Sequence, residues 1–168
     1  MSVIAVSDTT PLNYLVLIQE ISLLPLLYDR VAIPDAVFLE LTSDDTPVSV
    51  QAWIATAPPW LEVVTVDEQP YSHLGQLHVG EREAILLAEQ IGADAVIMDE
   101  RDSRREAMGR GLHITGTLGV LEEAAIRGLC NLARSLSARQ QTSFRASPAL
   151  VQSLLDRDAQ RRNSDGEN

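Results

Sequence analysis

The chain opens on an apolar run, Val3-Ile4-Ala5-Val6-Ser7, that ends abruptly in Asp8 and then in the helix-starting residues Thr9-Thr10-Pro11. A short apolar run bounded by helix-start signals reads as a buried strand. Its carboxyl end then delivers Asp8 to the edge of a sheet. The pattern returns at Ala95-Val96-Ile97-Met98-Asp99. In open α/β sheets, ligands bind in the crevice at the carboxyl ends of the strands. Carboxylates crowded there repel one another, so the pocket they form suits a hard cation.

Further strands are read at residues 31–33, 62–66 and, very short, 113–115. Helical patterns fall at 11–19, at 21–28 with an interruption at Pro25, and at 35–41 after Pro34. Others fall at 47–57, 81–91 closed by Gly92, 102–110 closed by Gly111, 118–127 closed by Gly128, and 148–159. Residues 67–78, which contain Pro70 and Gly75, read as a loop with a helical turn. Strands alternating with helices predict a layered α/β domain around a parallel central sheet. Right-handed crossovers then place every strand's carboxyl end on one edge. Residues 1–160 are expected to form this single domain, and 161–168 a disordered polar tail.

The net charge of −11 is unevenly spread. Residues 1–100 hold 16 acids and only Arg30 and Arg82, whereas residues 101–168 hold 11 arginines and 8 acids. There is no lysine at all. An acidic chain argues against non-specific, charge-driven DNA binding, but not against a nucleic acid gripped locally by arginines. The single Cys130 excludes a disulfide framework and a Cys-rich zinc site. No apolar run approaches the ~20 residues that span a bilayer, and no basic leader precedes an apolar stretch. A soluble cytoplasmic protein without membrane attachment is the expectation.

Four carboxylates are candidates for chemistry, and each has a structural alternative. Asp8 and Asp99 end strands, where an aspartate also serves as a helix cap. Glu40 shares a helix face with Ala36 and Val37, so it lies beside a buried stripe or snorkels from a helix end. Glu83, with Glu81 as a rival, opens the most apolar helix, where acids also compensate the helix dipole. Glu100 and Asp102 follow Asp99 as supporting or solvated groups. Thr115-Gly116-Thr117-Leu118-Gly119 reads as a turn and cap, or as hydroxyl and backbone groups around a phosphate oxygen. Arg101, Arg104, Arg105 and Arg110 form a basic helix that holds a polyanion or is simply solvated. His73, His78 and His113 show no metal-ligand spacing. A set of four carboxylates at one sheet edge suits one or two Mg²⁺ or Mn²⁺ ions. Two-metal phosphodiester cleavage uses one ion to activate water and the other to stabilise the leaving oxygen.

Taken together, these segments resemble the PIN-domain family, and within it a PIN-like bacterial and archaeal subfamily. The resemblance runs from Val3 to about Leu155. It rests on Asp8-Thr9-Thr10-Pro11-Leu12, on Ile33-Pro34 followed by Val37 and Glu40, and on Gly80-Glu81-Arg82-Glu83-Ala84. Asp99 with Arg104, and Thr115-Gly116-Thr117-Leu118-Gly119, complete it. It implies a three-layer Rossmann-like PIN fold and Mg²⁺- or Mn²⁺-dependent cleavage of RNA. It implies the toxin of a toxin–antitoxin pair, a small antitoxin partner and a homodimer. Asp8, Glu40, Glu83 and Asp99 are then the catalytic acids, with Asp8, Glu83 and Asp99 binding metal. Thr10, Arg101, Arg104, Arg105 and Thr117 are then the residues for substrate and geometry. The subfamily often carries paired aspartates where this chain has Asp99-Glu100. A PIN-fold binding module without activity is the alternative. A phosphoaspartyl enzyme is disfavoured, because such sites generally neutralise phosphate with a lysine.

Overall fold

A computed structural model describes residues 1–67 and 74–166. Its sheet has five parallel strands: β1 (Ile4–Ser7), β2 (Arg30–Pro34), β3 (Leu61–Val64), β4 (Ala95–Ile97) and β5 (Ile114–Thr115). Their order across the sheet is β3-β2-β1-β4-β5. The chain therefore builds outward from β1 in one direction and then returns to its other side. That reversal between β1 and β4 is the topological switch point, where the crossovers diverge and leave a crevice. Val6 is in register with Val96, and Ser7 with Ile97. The next residues out along the two strands lead to Asp8 and Asp99.

The strand residues alternate between two cores, as a sheet covered on both faces requires. Ala5, Val31, Ile33, Leu61 and Ile97 face one cluster. Val6, Ala32, Val96 and Met98 face the other. Helices α1 (Thr9–Leu17), α2 (Leu24–Leu27), α3 (Asp35–Leu41) and α4 (Val48–Ala55) contribute to the first cluster. So do α7 (Thr117–Ile126), α8 (Leu132–Ala138) and α9 (Pro148–Gly166). Helices α5 (Val79–Ile91) and α6 (Arg101–Gly109) pack on the second. The layered α/β architecture expected from the sequence is present, with the sheet between two helical layers.

Most elements lie within a residue or two of their expected bounds, and the departures have local causes. Helix α1 starts at Thr9, so Pro11 is its third residue; an N–H in the first turn has no intrahelical acceptor, and proline is tolerated there. The 21–28 segment is a 3-10 turn (Ile21–Leu23) that passes into α2, with Pro25 in its first turn. Helix α8 was not anticipated. Its large apolar contribution to the core is Leu132 and Leu136, and it is capped by Asn131 Oδ1 accepting from the Arg134 N–H. Helix α9 does not stop near Ala159 but continues to Gly166, through residues read as a disordered tail. Asp158 pairs with Arg161 and Arg162 one turn on, which favours the helix over a solvated coil. His73, Pro70 and much of the expected 67–78 loop lie outside the described residues. Among the described residues, no single helix is long and apolar enough to cross a membrane.

Candidate active site

Asp8 occupies the N-cap position of α1 with extended backbone, yet its carboxylate makes no capping hydrogen bond. Its own N–H donates to the Ile97 carbonyl at 2.9 Å, which ties it to β4. The side chain is only 4 % exposed. Its carboxyl is pushed up to about 7, first by burial and then by the charges of Glu81, Glu40 and Asp99, while the backbone of Thr9 acts the other way. Three other elements thus aim negative charge at one buried aspartate. Next to it, Thr9 Oγ1 is buried without a hydrogen-bond partner.

Glu40 lies half-buried near the end of α3, where its carboxylate rests against the first turn of α5 at Gly80. A Cβ at residue 80 would collide with Glu40 Oε1 and lie 3.5 Å from Val37 Cγ2. The glycine therefore leaves room for the Glu40 carboxylate against α5.

Glu81 and Glu83 are separated by the rotation of α5. Residues two apart on a helix point about 200° apart, so they cannot share a face. Glu81 is the one whose charge acts on Asp8. Its own carboxyl is raised, first by burial and then by the charges of Glu100 and Glu40, against the lowering effect of the His78 N–H. That N–H donates to Glu81 Oε2 at 3.3 Å. Glu81 is thus a candidate for the group beside the expected Glu83, which is half-buried on the same helix. Glu81 stands in the first turn of α5 and Glu83 just beyond it, and sequence alone does not decide between them.

Asp99 is held on both oxygens by one residue. The Thr117 N–H donates to Oδ1 at 2.8 Å, and Thr117 Oγ1 donates to Oδ2 at 2.6 Å. Thr117 is fully buried at the start of α7. Gly116 leaves room for the arrangement: a Cβ there would lie 2.7 Å from Asp99 Oδ1 and 2.9 Å from Arg104 Nη1. Arg104 Nη1 donates to the Met98 carbonyl at 2.8 Å. Glu100 caps α6, with Oε2 accepting from the Asp102 N–H at 2.8 Å and the Ser103 N–H at 3.0 Å.

Thr10 and Arg104 line a groove beside Asp99, whereas Arg101 and Arg105 are exposed on α6 and do not. Arg110 pairs with Glu89 and Glu106. Two arginines that the sequence did not single out, Arg145 and Arg157, line the same groove.

The donors at the crevice are carboxylate and hydroxyl oxygens, the set that hard divalent cations take. Among the described residues, no three His, Cys, Asp or Glu side chains close into a ligand shell. The chemistry of the donors nevertheless fits such an ion, because a cation favours the charged form of a carboxyl that burial, and then neighbouring charges, push up.

A five-stranded parallel sheet with carboxylates gathered at its switch point defines the class: an α/β domain with an acidic cleft at the carboxyl edge. A family model described as PIN domain matches residues 4–160, and the chain belongs to the PIN-domain family. PIN domains are generally nucleases. Among solved structures, the chain is similar to a PilT N-terminus domain protein, SSO1118, from the hyperthermophilic archaeon Sulfolobus solfataricus P2. The TM-score is 0.51 at 16% identity, covering 86% of this chain and 99% of that one. At that identity the likeness concerns the fold. No curated protein matches the sequence.

Proposed function

We propose that this protein is a divalent-metal-dependent endoribonuclease whose acidic site is Asp8, Glu40, Glu81 and Asp99. One observation carries the reading. Asp8 is buried at the switch point and is acted on by carboxylates from α3, α5 and the end of β4. Such crowding is costly unless the site serves a cation. Asp8, Glu81 and Asp99 would hold Mg²⁺ or Mn²⁺. When bound, such an ion lowers the pKa of a water and stabilises charge on the phosphate oxygens.

The chain's own residues do the rest. Thr117 fixes Asp99 in one orientation through both oxygens. Glu40, held against α5 at Gly80, accepts a hydrogen bond from the attacking water and orients it. Arg104, anchored on the Met98 carbonyl, offers its remaining N–H groups to the RNA backbone. Glu100 serves α6 as a cap and is left out of the metal set. Family membership further supports a role as the toxin of a toxin–antitoxin pair, restrained by a small antitoxin and acting as a homodimer in the cytoplasm.

The test is cleavage of a mixed RNA pool with Mg²⁺ or Mn²⁺ by wild type and Asp8→Asn, side by side. Metal-dependent cutting that is lost in the variant is the expected result. A folded wild type that cuts nothing with either ion would instead favour a binding module on the same fold.

A further inference from the structure

Glu81 is the third residue of α5, and its carboxylate reaches back to the turn that precedes the helix. There the His78 N–H donates to Oε2 at 3.3 Å. His78 stands at the N-cap of α5 with φ −59° and ψ 152°. A glutamate at the third helical position that accepts from the N-cap N–H is one half of a capping box, whose usual work is to start a helix. The same carboxylate has a second relationship. Of the charges that act on buried Asp8, that of Glu81 is the strongest, ahead of Glu40 and Asp99. Among the described residues, the His78 N–H donates to nothing else and Glu81 Oε1 accepts no hydrogen bond. One oxygen is thus engaged by the cap, and the other is left for the cleft.

A glutamate side chain samples several rotamers and loses that freedom when it closes on an ion. A hydrogen bond to one of its oxygens removes part of the freedom beforehand, and partners of this kind orient the ligands of metal sites. Asp99 has such a partner in Thr117. Gly80, between the cap and Glu81, carries no side chain, and Glu40 rests against it. The turn before α5 therefore meets two acids of the cleft at successive residues. Among the described residues, no comparable hydrogen bond reaches Glu83.

We propose that the backbone N–H of His78 positions Glu81 for metal binding, holding Oε2 on the cap so that Oε1 is available to the cation shared with Asp8. His78 is a positioning residue: it touches neither the ion nor the substrate. The inference rests on the reading that Glu81 belongs to the acidic set, and it goes further in giving the turn before α5 a part in that set.

The test follows the metal alone, without RNA. Three amides report on three carboxylates: Thr9 beside Asp8, Thr117 on Asp99 and His78 on Glu81. In ¹H–¹⁵N spectra of the full chain, Mg²⁺ is expected to shift all three, and Glu81→Gln to abolish the shift of His78. Substitution at the cap gives a second readout. Proline suits the φ of −59° and deletes the N–H, whereas serine keeps the N–H and offers a capping oxygen. With free Mn²⁺ counted by electron paramagnetic resonance, His78→Pro is expected to weaken binding roughly tenfold, the scale of a lost partner at a metal ligand. His78→Ser is expected to restore it, and melting curves check that both variants fold. A His78 amide that stays still while those of Thr9 and Thr117 move would overturn the inference and leave the site to Asp8 and Asp99. So would a folded His78→Pro that binds Mn²⁺ like wild type, or a His78→Ser as weak as His78→Pro. If Mg²⁺ moves none of the three amides, the metal site itself is overturned, and the inference with it.

Discussion

The Glu40 carboxylate packs directly on the backbone of Gly80, where no other residue leaves it room. Helices α3 and α5 meet at this point, and the glycine sets how far Glu40 advances toward Asp8. In an ordinary helix Gly→Ala is stabilising by about 0.5–1 kcal/mol. Here the added methyl meets the end of a flexible side chain, so Glu40 must swing aside, a movement that costs little in itself. Gly80→Ala is therefore expected to change stability little in urea melts but, by moving Glu40, to reduce metal-dependent activity. A more stable, fully active variant would show that Glu40 does not need this contact.

Asp8 makes stability depend on pH. Its carboxyl titrates at about 7 in the folded chain against 3.8 ordinarily. Between these values the folded state keeps a proton that the unfolded state has released. Stability is then highest below about pH 4 as far as this group is concerned, and is lost as pH rises through 7. The full difference is on the order of 4 kcal/mol at about 1.4 kcal/mol per unit. Denaturant melts of the metal-free protein should show this decline, and Asp8→Asn should flatten it. An identical decline in both proteins would place its origin elsewhere.

Thr117 offers a separable test of how Asp99 is positioned. Thr117→Val removes the hydroxyl bond to Oδ2 and keeps the backbone bond to Oδ1. A hydrogen bond to a charged group contributes about 1.5–3 kcal/mol, so a stability loss of that order is expected. Activity should fall with it, chiefly in kcat. Thr117→Ser keeps the hydroxyl and should restore most of both. If Thr117→Ser is as impaired as Thr117→Val, packing of the methyl group and not the hydrogen bond is what matters.

The parts of this fold that could be read in advance are those fixed by local pattern. Val3-Ile4-Ala5-Val6-Ser7-Asp8 and Ala95-Val96-Ile97-Met98-Asp99 announce strands with terminal carboxylates, and the two are neighbours at the centre of the sheet. Gly92, Gly111 and Gly128 mark helix ends and take positive φ there. What local pattern does not carry is rotation and return. Glu81 and Glu83 differ only in which way α5 is turned, and that is set by its passage over α3 at Gly80. Arg145 and Arg157 reach the groove only because α9 folds back across α7, with Arg157 pairing to Glu122. Helix α8 has two buried leucines, too few for a periodicity to show.

Metal should act on the native state as a ligand. An ion that binds the folded crevice and not the unfolded chain stabilises it by about 2.7 kcal/mol at a hundredfold excess over Kd. Mn²⁺ is accordingly expected to raise Tm in wild type, and the rise should vanish in Asp8→Asn. Equal shifts in both proteins would mean that the ion binds another part of the surface.

The central claim is that Asp8, Glu40, Glu81 and Asp99 form one metal-dependent cleavage site. It is tested most directly by Mn²⁺-dependent RNA cleavage with Glu81→Gln and Glu83→Gln side by side. The geometry predicts that Glu81→Gln loses cutting by a hundredfold or more, on the scale of an essential catalytic group, while Glu83→Gln stays close to wild type. Cutting that survives Glu81→Gln and disappears in Glu83→Gln would contradict the site described above.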